Sequence, residues 1–288
     1  MAMLRDLSLL IKMKLSLLVL SSALIGFWLA SSHPMNLGLF SVFGLGTFLV
    51  VAGANAFNEV IERDFDRLMV RTASRPLPAG RMSVRHGVAI ALLMTICGLF
   101  LLAYNVSLEV AILAFIASAL YLFFYTPMKR ISPLCVLIGA VPGAIPAMMG
   151  PAAALHAITP LSWLMFGIVF FWQFPHFCAI AWLAKDDYKQ AGFKMLAEPA
   201  DTRFTAYQIL LFSGALMMIS PLLTVMRHTG VYYFVGSLFL GIILMAYAFF
   251  FWFSLSKTRA RQLMSVAMLY LPFLFVLMIL DKVNLWSR

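Results

Sequence analysis

Long apolar runs decide what this chain can fold into. They lie near residues 15–32, 37–57, 87–105, 108–126, 133–150, 161–181, 207–226, 231–255 and 262–280. Most of them pass about 18 positions without a charge, the length a helix needs to cross the hydrocarbon of a bilayer. Backbone groups in hydrocarbon must pair within their own segment, so each run is expected to be a helix. None alternates as a barrel strand does. Charged residues make up 11% of the chain, against about 25% in soluble domains. The expected architecture is therefore an all-α, polytopic membrane bundle of about nine spans. Even loop spacing makes residues 1–288 one domain without a soluble appendage. The basic segment before the first run has no small-residue cleavage site behind it, and reads as the start of a span.

The net charge of +10 could suggest nucleic acid, but its placement does not. With nine spans, every one of the 21 basic residues except Arg227, Lys282 and Arg288 falls on one side. The positive-inside rule makes that side the cytoplasm (or matrix), with the N-terminus inside and the C-terminus outside. The charge thus serves orientation and lipid headgroups. The acids share the basic side, all but Glu109 and Asp281 of 11. Acids contribute little to orientation, so their clustering needs another cause. Cys97, Cys135 and Cys178 have neither metal-ligand nor redox spacing.

Two loops on the basic side, 58–86 and 182–206, each open on acids as a helix leaves the bilayer. In the first, Asn58, Glu62 and Asp66 recur every fourth residue and line one face if the second span continues as a helix. Three oxygen donors on one face suit Mg2+, which takes few carboxylates and fills its sphere with phosphate oxygens and water. Arg67, Arg71, Thr72, Arg75 and Pro76 follow, and guanidinium forks fit phosphate. Acids for a metal beside arginines for phosphate suggest an amphiphilic diphosphate. By spacing alone, the same run reads equally as a solvated helix end with weak exposed pairs. Glu59 and Asp64 point off the Asn58 face and are expected to be solvated.

The run Asn58 to Pro78, Asn-x3-Glu-x3-Asp followed by Arg-Thr-x2-Arg-Pro-Leu-Pro, resembles the first signature of the UbiA superfamily of intramembrane prenyltransferases. In that pattern the middle acid is usually Asp, and here it is Glu62. Trp172-Gln173-Phe174-Pro175-His176-Phe177, continuing to Lys185-Asp186-Asp187-Tyr188, is similar to the protoheme IX farnesyltransferase (haem O synthase) branch. So are Tyr125-Thr126-Pro127-Met128-Lys129-Arg130 and the stretch Gly139 to Pro146. The resemblance implies a UbiA-type bundle around a central cavity. It implies Mg2+ at Asn58, Glu62 and Asp66, with Asp186 and Asp187 as a second metal or diphosphate site. It makes Asn58, Glu62, Asp66, Arg71, Arg75 and Asp187 the catalytic set. Arg67, Arg71, Arg75, Lys129, Arg130 and Lys189 are then candidates for the diphosphate. Lys129, Arg130, Lys189 and Lys194 read equally as partners of the haem propionates or as positive-inside residues, the last reading being favoured for Lys189 and Lys194. His176, the histidine that falls within a span, is the candidate haem contact, against its reading as a packed helix histidine.

The implied substrates are farnesyl diphosphate and haem B, in a bacterial inner membrane, upstream of a haem-modifying enzyme or oxidase. Alternatives are a relative acting on a quinone precursor or chlorophyll-type ring, and a haem carrier that tolerates loss of Glu62 and Asp66. Transport is disfavoured, because the spans carry ionisable groups only near their ends.

Overall fold

The computed structural model describes residues 2–32, 34–195 and 202–283. Glu198 and Asp201 of the second loop, and Arg288, lie outside the described residues. The elements are α1 (Ala2–Leu10), α2 (Met13–Ala30), α3 (Leu37–Asp66), α4 (Val84–Asn105), α5 (Leu108–Ala119), a π-helical turn (Leu120–Tyr125), α6 (Thr126–Met128), α7 (Cys135–Leu155), α8 (Pro160–Leu183), α9 (Lys185–Gln190), α10 (Thr202–Ile219), α11 (Leu222–Val225), α12 (Val231–Phe253) and α13 (Lys257–Leu280). Among the described residues, 9 segments are long and apolar enough to cross a membrane.

Local sequence sets where the spans begin. Asn36, Ser83, Ser107 and Ser256 each accept the backbone N–H three residues on, so they cap α3, α4, α5 and α13. Thr159 and Ser162 form a reciprocal capping box ahead of α8. Lys12 takes a left-handed backbone conformation, φ 48° and ψ 54°, and this separates α1 from α2.

The spans close into a ring. In one half α2, α3, α4 and α5 pack together and onto α7; in the other α8 packs with α7, α10 and α13, and α12 joins α10 to α13. Contacts between α13 and α2 complete the circuit. On the side opposite the acidic mouth, the Lys282 ammonium donates to the carbonyls of Trp28 and Ser31 at 2.6 and 2.7 Å. A cation there satisfies orphan carbonyls at the end of α2 and opposes its dipole.

The most buried spans are α7 and α8, with 72% and 61% of their apolar windows inside the protein. Helix α7 stays helical through Pro142, Pro146 and Pro151. Its glycines serve close approach and leave the helix unbroken. A Cβ on Gly150 would overlap the Ala23 carbonyl of α2, so these two backbones meet without side chains between them.

Helix α3 runs 30 residues and carries the acids out of the bilayer as one continuous face. The expected boundaries shift by a few residues elsewhere. The span expected over 108–126 is α-helical only to Ala119 and then widens into the π-turn, which stacks Tyr121 on Tyr125 at 5.5 Å.

Candidate active site

The Asn58, Glu62 and Asp66 face is buried, with side chains drawn in from three other segments. Residue exposure is 0% for Asn58, 5% for Glu62 and 1% for Asp66, so this is no solvated helix end. The Lys129 ammonium donates to both Glu62 oxygens at 2.8 and 3.1 Å. Arg75 donates to Asp66 Oδ2 at 2.7 Å. Lys12 donates to Asn58 Oδ1 at 2.5 Å, and the Asn58 amide in turn donates to Thr126 Oγ1 at 2.9 Å. Charges this buried persist only when paired, and each acid here has its cation.

The folding of the first loop explains part of this. Thr72 Oγ1 donates to the Asp66 carbonyl at 2.9 Å, which turns the chain back so that Arg75 reaches Asp66. Glu59, expected to be solvated, is fully buried and accepts the Leu77 N–H at 3.2 Å. A loop N–H needs an acceptor once buried, and a carboxylate one residue past Asn58 supplies it. Asp64 is exposed between Arg63 and Arg67, as expected.

Burial pulls the Lys129 ammonium down, but Glu62 beside it more than offsets this, and its pKa stands above the ordinary lysine value. Lys12 is the reverse case. Burial, helped by the Arg75 charge, brings it down to about 7 despite the pull of Glu62. Lys12 was read from sequence only as an orienting charge. Nothing but its place directly before an apolar run marks it out.

The second loop touches the first through Tyr188. Arg71 donates to its hydroxyl at 3.2 Å and lies 5.7 Å from its ring centre. The Lys194 N–H donates to the Lys129 carbonyl at 2.7 Å. Asp186 is exposed and Asp187 half-buried, and neither forms an ion pair among the described residues. Arg67 donates to the Pro78 carbonyl, Arg130 lies over the Phe65 ring at 4.3 Å, and Lys189 is exposed. The structure therefore brings together Asn58, Glu62, Asp66, Arg75, Lys129 and Lys12, with Arg71 at the rim.

Among the described residues no group of three His, Cys, Asp or Glu side chains converges on a point. The donor set at the mouth is one amide and two carboxylates, all oxygen. That chemistry fits Mg2+, which is usually held by one or two carboxylates with phosphate completing its shell.

Next to this mouth lies a cavity of about 240 Å³ between α2, α3, α5, α7 and α8. Tyr121, Tyr125 and Asn55 stand near its top, and Leu18, Val50, Ala114 and Met149 line it further down. A Cβ on Gly139 would meet the Tyr125 ring at 2.5 Å, so glycine there admits the tyrosine. His176 also lines the cavity, stacked on Trp172 at 4.9 Å and 14°. Trp172 is itself fixed by donating to the Ala267 carbonyl at 2.6 Å. Among the described residues, His176 Nδ1 is buried without a hydrogen-bond partner. A packed core histidine normally satisfies both nitrogens.

The model of the UbiA prenyltransferase family matches residues 19–277. The chain belongs to that family. Among UbiA relatives, the protoheme IX farnesyltransferase of Koribacter versatilis is 40% identical, over 98% of this chain and 94% of its own. That of Flavobacterium johnsoniae is 38% identical, over 94% and 92%. A solved structure described for digeranylgeranylglyceryl phosphate synthase superposes with a TM-score of 0.82 at 17% identity, covering 98% of this chain and 99% of that one. A UbiA homologue from Archaeoglobus fulgidus, bound to GPP and Mg2+, gives 0.68 at 16% identity over 95% and 99%. These two likenesses establish the UbiA fold. With its apolar helices, family membership makes the chain an integral membrane protein.

Proposed function

We propose that this chain transfers the farnesyl group of farnesyl diphosphate to a vinyl group of haem B, releasing diphosphate and forming haem O. The observation that carries the proposal is a buried acid-and-cation mouth opening beside an apolar cavity that is also lined by His176, whose Nδ1 has no hydrogen-bond partner among the described residues. Relatives at 40% identity named protoheme IX farnesyltransferase support the choice of substrates.

Asn58, Glu62 and Asp66 would hold Mg2+, with Asp186 and Asp187 as a second metal or diphosphate site. Bound there, Mg2+ supplies charge neutralisation for the leaving diphosphate. Lys12, Arg75 and Lys129 hold the diphosphate oxygens in a desolvated setting where each charge counts for more than in water. Arg71 adds charge at the rim, and Arg67, Arg130 and Lys189 guide the anion in from the surface. The apolar cavity takes the tail and excludes water from it.

The C1–O bond of the farnesyl diphosphate breaks and its electron pair leaves with the diphosphate. The vinyl π pair of the haem forms the new bond to C1. Water adds to the resulting cation beside the ring and loses a proton, leaving a hydroxyethylfarnesyl group. Tyr121, Tyr125 and Trp172 present ring faces that attract the allylic charge. His176, stacked face to face on the Trp172 indole, contacts the haem. The basic face is the cytoplasmic one, in a bacterial inner membrane, and the product passes to a haem-modifying enzyme or oxidase.

The test is competition between acceptors. Detergent-purified protein with farnesyl diphosphate and Mg2+ is offered haem B together with an aromatic quinone precursor. Haem O as the product supports the proposal. Prenylation of the quinone precursor alone would replace it.

A further inference from the structure

The cavity ends short of the next turns of α3 and α7, and Met149 stands at that end. We propose that Met149 sets the longest prenyl tail this chain accepts. The inference rests on the prenyl-transfer reading and deepens it.

At about 1.5 Å per helical residue, Thr47 lies about 16 Å along α3 from Asn58, and Met149 about 15 Å along α7 from Gly139. That depth is close to the reach of an extended three-isoprene chain. Thr47 is the deepest lining residue of α3 and Met149 the deepest of α7. One turn further on, Phe43 and Ala153 are fully buried and do not line the cavity. Phe43 stacks on Phe27 at 5.5 Å, and both belong to the packed cluster that contains Met149.

The other lining residues at this depth are the smaller Ser22, Thr47, Ala114 and Val169, and Leu271 on the α13 side. Of the two bulky ones, Met149, 1% exposed, is the one that packs in the cluster of Phe27 and Phe43 closing the far end. Its neighbour Gly150 lies against the α2 backbone at Ala23, so this end cannot swing aside to admit a longer tail. Close-packed interiors convert a lost side chain into usable space only where the walls hold still. Truncating Met149 should therefore open the room for another isoprene unit, and enlarging Ala114 should take one away.

The experiment measures affinity for geranyl, farnesyl and geranylgeranyl diphosphates by calorimetry with Mg2+ present, and then product from each with haem B. Variants are Met149→Ala, Ala114→Leu and, as a control on an exposed site of α4, Leu93→Ala. Met149→Ala is expected to shift the ratio of geranylgeranyl to farnesyl affinity at least tenfold upward. Ala114→Leu is expected to shift preference toward geranyl, and Leu93→Ala to keep the parent ratios. An unchanged ratio in Met149→Ala overturns the proposal. If that variant does not fold, an unchanged preference in Ala114→Leu overturns it instead. Should the parent bind these diphosphates but give no haem product, the haem assignment falls while the affinities still decide the role of Met149. Failure to bind any of the three overturns both.

Discussion

At the scale of single residues, the Glu62–Lys129 pair separates stability from function. Their side chains are 7% and 11% exposed. Removing one partner strands the other charge, at a cost of about 3–5 kcal/mol. Lys129→Met should therefore lower thermal stability in detergent markedly. The double variant Glu62→Met with Lys129→Met should recover most of that stability and still transfer no farnesyl group. Recovery of activity along with stability would mean that the pair is structural only. Lys12→Met is milder. Losing one charge-assisted bond, about 1.5–3 kcal/mol, should raise the Kd for farnesyl diphosphate at least tenfold and leave haem binding unchanged. The four-residue spacing of Asn58, Glu62 and Asp66 was legible because helical periodicity is a local property. Their partners were not. Lys12 and Lys129 reach them from other segments, and a sequence without tertiary contacts cannot separate a pairing cation from an orienting one. Glu59 was misjudged for the same reason, since the Leu77 N–H that buries it lies 18 positions away.

At the scale of elements, helix α7 supports the cavity because it can approach α2 without side chains between them. Gly150→Ala should cost about 1–3 kcal/mol through overpacking against Ala23, read as a lower unfolding temperature. Helix α8 acts through the plate that orients His176. Trp172→Phe keeps the packing but loses the bond to the Ala267 carbonyl. Haem affinity should fall severalfold, with farnesyl diphosphate binding unaffected. Equal loss of both would show that the plate merely supports the cavity. Spans and caps were readable, as apolar runs and cap residues are written in consecutive positions. The π-turn at Leu120–Tyr125 was not, because it depends on Thr126 hydrogen-bonding the Tyr121 carbonyl while also accepting from Asn58 of α3.

At the scale of the whole molecule, the ring of spans gathers the acids and their cations at one end of a greasy chamber. The one-sided charge predicted that end, and two of the acids that share it, Glu62 and Asp66, are the partners of Lys129 and Arg75. Which helices neighbour each other was beyond reach of the sequence, since apolar faces toward lipid and toward protein look alike. The most direct check follows haem B by mass spectrometry after incubation with farnesyl diphosphate and Mg2+, in the parent and in Asp66→Ala. The parent should convert haem B to haem O, while Asp66→Ala should bind haem with the parent's affinity and leave it unmodified. Unmodified haem from a parent that binds both substrates, or undiminished haem O from Asp66→Ala, would contradict the account.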